Sequence, residues 1–122
     1  MNFINNKVFD DLLAENYSID SNRQFDYTFL WLENDSYLIN LYAKLLNYLV
    51  LQKYISKKFY KYNINKLYDL SEEDMLTTKQ DEMLKMNIIS LLQYYILLRE
   101  RNIEPNQIST KRELKEYIRN NY

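Results

Sequence analysis

Not one of the 122 residues is a glycine, and that absence constrains the fold more than any residue that is present. Two-residue β-hairpins favour Asn-Gly or Asp-Gly, because their central residues sit at positive φ. Nothing in the sequence supplies that pair, so the chain is driven toward helices. Where a helix needs a left-handed residue to stop it, asparagine is the next most tolerant type. Asn16, Asn63 and Asn102 stand where the hydrophobic periodicity fades, and we read them as the stops.

Apolar spacing then predicts an all-α fold, a compact bundle of five or six helices, two of them long. A first helix is expected from Ile4 to Glu15, with Ile4, Val8, Leu12 and Phe9, Leu13 as its stripe. Phe25, Tyr27, Phe29 and Trp31 alternate as in a strand, yet Phe25, Phe29 and Leu32 also suit a helix face. No strand partner presents itself and a lone strand leaves its backbone unpaired, so a helix is expected. Asp35 or Ser36 is placed to cap a long helix through Lys61, apolar nearly all round in its first half. A connector over Asn63–Thr78 follows, holding a helix start at Ser71-Glu72-Glu73-Asp74. Thr78 with Asp81 opens the second long helix, Lys79–Arg101, whose inward residues are Leu84, Ile88, Leu91, Leu92, Tyr95 and Leu98. After a turn at Asn102–Pro105, Thr110-Lys111-Arg112-Glu113 reads as a capping box for a last helix to Arg119.

The length is that of a single helical domain over 1–122, long enough to bury about two-thirds of its unfolded surface. Apolar residues make up 47%, which suits a globular chain rather than a disordered one. The longest apolar stretch, Tyr37–Ile55, is broken by Asn40, Lys44, Asn47, Gln52 and Lys53. A membrane span needs about 20 mostly apolar residues, so a buried core helix is expected and no membrane. The N-terminus lacks the basic-then-apolar pattern of a signal peptide, which makes cytoplasmic the default. Heavy use of Asn, Tyr, Ile, Leu and Lys, with alanine only at Ala14 and Ala43, points to an AT-rich genome such as that of a low-GC bacterium, phage or plasmid.

Several chemistries are closed to this composition. Without histidine or cysteine there is no histidine acid–base pair, no thiol nucleophile and no zinc site of the usual ligands. Without glycine, phosphate loops and dinucleotide fingerprints cannot be built. No cofactor is implied. Carboxylates remain: Asp69 with Glu72, and Glu113 with Glu116, are spaced three apart, which suits one Mg²⁺ on a helix face. Acids at helix starts also serve the dipole and the cap.

Charge is balanced overall, 16 basic against 17 acidic side chains, but it is segregated. From Ser36 to Lys66 there are six lysines and no acid, with Tyr54, Phe59, Tyr60 and Tyr62 interleaved. Lys53, Lys57 and Lys61 recur every four residues and share a face of the expected helix; Lys53, Tyr54, Lys57, Lys58 and Lys61 form the candidate nucleic-acid contact, a solvated helix end or contact with an acidic protein surface being the other readings of the pattern. The chain also holds 13 tyrosines. Neighbours on a helix diverge by about 100°, so Tyr94 and Tyr95 cannot both face one core. One of them is the candidate partner interface.

From Leu97 to Tyr122 the chain resembles the tail of the C-terminal helical (HRDC-type) domain of ribonuclease D and its relatives. The residues carrying the resemblance are Ile103, Pro105, Ile108, Thr110, Leu114 and Ile118. It covers about a fifth of the chain, lacks the glycine-bearing turn common there, and transfers no site; what it implies is an association with nucleic acid.

The expectation that follows is a non-enzymatic helical protein–protein interaction module, a regulator, inhibitor or accessory subunit, with a protein partner or a second copy of itself. An accessory nucleic-acid binder using the Lys/Tyr-rich helix end is the alternative, and a Mg²⁺-dependent nucleotide hydrolase the second.

Overall fold

A computed structural model describes residues 7–16, 25–101 and 107–121. The protein is all-α, and the described residues form five α-helices and one short 3₁₀ helix. The chain divides into two compact units, Met1–Glu33 and Asn34–Tyr122. Among the described residues no helix is long and apolar enough to cross a membrane.

In the first unit, α1 spans Lys7–Asn16 and buries Phe9, Leu12 and Leu13. Val8, read above as part of the stripe, is exposed. Phe25–Leu32 resolves toward helix: Tyr27–Trp31 form a 3₁₀ turn that buries Leu30. Asp26 caps it, taking the Thr28 N–H at 2.9 Å and the Thr28 hydroxyl at 2.7 Å, and these bonds hold its carboxyl below the usual carboxylate range.

The second unit holds α2 (Asp35–Leu51), α3 (Lys57–Ser71), α4 (Thr78–Arg101) and α5 (Lys111–Asn121). Asn34, not Asp35 or Ser36, caps α2 by accepting the Tyr37 N–H at 2.8 Å. Leu38, Leu41, Tyr42, Leu45, Leu46 and Leu49 are buried along it, as its all-round apolarity predicts. The helix does not continue to Lys61. Lys53 turns left-handed at φ 63°, its N–H donates to the Val50 carbonyl and that of Tyr54 to the Leu49 carbonyl. This is the six-to-one closure of a Schellman motif, built on lysine where glycine is usual. Buried Ile55 then pairs with Ile108 in an isolated parallel bridge, and Ser56 caps α3 by accepting the Phe59 N–H at 3.1 Å.

The asparagine stops fare differently. Among the described residues only Lys53 has positive φ. Asn16 is the last described residue of α1, with its amide on the Leu12 carbonyl, while Asn102 lies outside the described residues. Asn63 is buried in the middle of α3, where its amide donates to the Phe59 carbonyl at 2.8 Å and its oxygen accepts the Tyr42 hydroxyl at 3.4 Å. Ser71 ends α3 rather than starting a helix, its hydroxyl bonding the Tyr68 carbonyl.

Helix α4 starts one residue before the expected point. Thr77 and Gln80 form a reciprocal capping box at 2.9 and 3.1 Å. Lys85 is buried beside Asp81, with which it pairs at 2.6 Å. α4 packs on α2 and on α5, and α2 also on α3. At the last helix Thr110 accepts the Glu113 N–H at 3.1 Å, while Glu113 reaches past its cap residue to the Ser109 N–H at 3.0 Å. Of the residues that carry the resemblance, Ile108 and Leu114 are core and Thr110 is the cap; Ile103 and Pro105 lie outside the described residues.

Candidate nucleic-acid interface

Breaking one expected helix into two rearranges the lysines. Lys53, Lys57 and Lys61 do not share a helix face, because Lys53 stands on the turn and only Lys57 and Lys61 lie on α3. Lys53, Lys57, Lys58 and Lys61 are all exposed. Half-buried Tyr54 acts through its backbone, its carbonyl accepting the Ile108 N–H at 3.1 Å and the Tyr94 hydroxyl at 2.8 Å. The row that the α3 geometry does produce is Lys58, Tyr62 and Lys66, each one turn from the next. Tyr62 is 57% exposed, and the Lys66 ammonium lies 4.3 Å from its ring centroid.

Helix α5 adds cations to this row. A hollow of about 360 Å³ is lined by Lys58, Tyr62, Ser109, Thr110 and Lys111, so the start of α5 is a neighbour of the α3 row. Partial burial, with the Lys66 and Lys115 ammoniums nearby, holds the Lys111 amine below its usual range. The hydrogen bond and charge of Lys66, with Lys111 adding to them, lower the Tyr62 hydroxyl. Beyond Lys111, a shallow groove of about 520 Å³ is lined by Lys111, Arg112, Lys115, Glu116 and Arg119. Glu116 is already matched by Arg112 at 3.4 Å. Among the described residues Lys58, Lys66, Lys111 and Lys115 form no ion pair. Their charge is therefore open to an outside anion.

Sequence spacing missed Lys111 and Lys115 because 45 positions separate Lys66 from Lys111. The available signal was the four-residue step between those two on a capped helix.

Tyr94 and Tyr95 do not form an outward surface. Their exposures are 0% and 1%. The two side chains do diverge, yet both are buried, since α4 is covered on two sides. Tyr95 meets the Tyr48 ring of α2 at 5.5 Å, and Tyr94 meets the Tyr117 ring of α5 at 5.1 Å.

The carboxylate pairs have local duties or lie apart. Glu113 caps α5 and Glu116 pairs with Arg112, while Asp69 and Glu72 sit at the exposed end of α3. Among the described residues no three carboxylates gather as a metal site would need.

No family model, curated protein or solved structure matches the chain. Residues 34–122 hold 14 basic against 11 acidic side chains, whereas residues 1–33 hold two against six.

Proposed function

We propose that the protein binds nucleic acid without catalysis, holding a strand on the face made by α3 and α5. The observation that carries this reading is the convergence of Lys58, Lys66 and Lys111 around exposed Tyr62, with Lys115 next to Lys111, from two helices remote in sequence. Unpaired lysines neutralise phosphates and release counterions. A tyrosine ring among them gives a base a surface to stack on. Such a face reads charge and ring, not sequence, so single strands are the favoured substrate and base preference is weak.

Fluorescence anisotropy with labelled single- and double-stranded oligonucleotides at rising salt tests it. Affinity should fall with the logarithm of salt, and the triple change Lys58→Glu, Lys66→Glu, Lys115→Glu should abolish binding while helical circular dichroism persists. Binding that the triple variant retains, or a wild-type protein that binds no strand at low salt, removes the proposal.

A second reading, the protein-interaction module, now draws on other residues. Met75, Met83 and Met86, around the start of α4, are 80%, 52% and 56% exposed, and methionine suits adaptable binding surfaces. If that surface joins two copies, light scattering should report a dimer that Met83→Glu with Met86→Glu dissociates. A strict monomer at high concentration argues against self-association there.

A further inference from the structure

Next to the basic face, between α3, α4 and the start of α5, lies a half-open pocket of about 270 Å³. That is just under the roughly 300–1,000 Å³ of drug-sized sites. It admits one small ligand, not an extended one. Its walls combine Leu67, Met83 and Leu84 with Asn87, and both Lys66 and Lys111 line it. Among the described residues the half-buried Asn87 amide has no hydrogen-bond partner. That amide, in a lining that also holds Tyr42, Asn63, Asp69 and Gln80, is matched by a ligand that carries donors and acceptors at its edge. An acyl chain would match neither it nor Asp69, which also lines the pocket. A flat heterocycle satisfies both.

We infer that this pocket receives one nucleoside phosphate. Its base lies between Leu67, Met83 and Leu84 with Asn87 on its edge. Asp69 accepts from the sugar or base, and the phosphate sits between Lys66 and Lys111. This rests on the α3–α5 face as a nucleic-acid surface and sharpens it: the pocket would take the phosphorylated end of a strand. A free mononucleotide has the same chemistry, and the two sources are separated by experiment.

Calorimetric titration with AMP and UMP, against adenosine, uridine and inorganic phosphate, tests the pocket itself. Anisotropy with the same oligonucleotide bearing a 5′-phosphate or a 5′-hydroxyl tests the strand. Two variants block it: Met83→Trp, at an exposed wall position that can fill the space without disturbing the core, and Asn87→Leu. The expected result is mononucleotide binding that either variant weakens about tenfold, with the 5′-phosphate preference lost and the remaining strand affinity kept. Strand binding with no mononucleotide binding and no 5′-phosphate preference overturns the inference and leaves the basic face standing. So does nucleotide binding indifferent to both variants. Nucleotide binding sensitive to both variants, with no strand bound, identifies a free-nucleotide site and removes the broader reading instead. If neither ligand binds, both fall.

Discussion

The Tyr54 N–H donates to the Leu49 carbonyl at 2.9 Å, closing the end of α2 over Lys53, which stands at φ 63°. A side chain with a Cβ pays about 1–2 kcal/mol for that conformation. The turn persists because it lets α3 fold back on α2 and puts Ile55 in the core. Lys53→Gly should therefore stabilise the protein by about 1 kcal/mol, read as a raised urea midpoint with unchanged slope. Lys53→Ala keeps the Cβ and removes the charge, so it should be near neutral. Equal stabilisation by both changes would assign the effect to charge and refute the backbone argument.

Asn63 offers a second test, since it is a buried amide on a helix rather than a helix stop. Replacing it by alanine leaves the buried Tyr42 hydroxyl without its acceptor, at a cost of about 1–3 kcal/mol. Replacing both groups by apolar ones, Tyr42→Phe with Asn63→Leu, should cost less than the sum of the single changes, because the unmatched partner disappears. A denaturation double-mutant cycle measures this; strict additivity would mean that the 3.4 Å contact contributes nothing.

These two residues also mark what could and could not be read beforehand. Helix class and the core of α2 and α4 were legible, because burial writes itself into spacing: Leu84, Ile88, Leu91, Leu92 and Tyr95 are all buried. The capping box at Thr110 was legible because it is a local pattern of four residues. The break at Lys53 was not, since neither glycine nor proline announces it and the reward, Ile55 against Ile108, lies 53 positions away. Without the break, α3 reads as a continuation of α2, and Asn63 falls at its apparent end. The site shifted for the same reason. Spacing found the lysines of α3 but assigned them the wrong row, and no local pattern could place Lys111 beside them.

Tyr94 ties α4 to the turn through its hydroxyl on the Tyr54 carbonyl at 2.8 Å. Tyr94→Phe should cost about 0.5–1.5 kcal/mol at neutral pH. Burial raises the hydroxyls of both Tyr42 and Tyr94 far above their usual range, and at Tyr94 the neighbouring Tyr117 and Tyr54 add to it. In the unfolded chain they ionise near pH 10. Above that pH the unfolded state binds fewer protons than the folded one, so stability falls as pH rises. Thermal unfolding across the alkaline range should show this fall, and Tyr94→Phe should make it shallower. Parallel curves for the two proteins would contradict the assignment.

The lowered Lys111 predicts a pH dependence of binding that differs from that of stability. Lys111 is held down first by burial and then by Lys66 and Lys115, against a small opposing effect of Tyr62, which is itself lowered by Lys66. Raising the pH from neutral therefore discharges Lys111 and puts negative charge on Tyr62 sooner than in the unfolded chain. Both changes weaken an anion's hold on the α3–α5 face. Over the same interval the folded protein binds fewer protons than the unfolded one at these two groups, so their contribution to stability rises with pH. Binding should thus decline at a pH where the fold is not yet failing. A bound phosphate reverses the balance at Lys111 by favouring its charged form, so complex formation should take up protons in alkaline buffer. Calorimetry in buffers of different ionisation heat reads that uptake directly. Lys111→Met should abolish most of it while leaving part of the affinity with Lys58, Lys66 and Lys115. If Lys111→Met binds strands with unchanged proton uptake, the amine that titrates is a different one, and the α5 half of the proposed face loses its support.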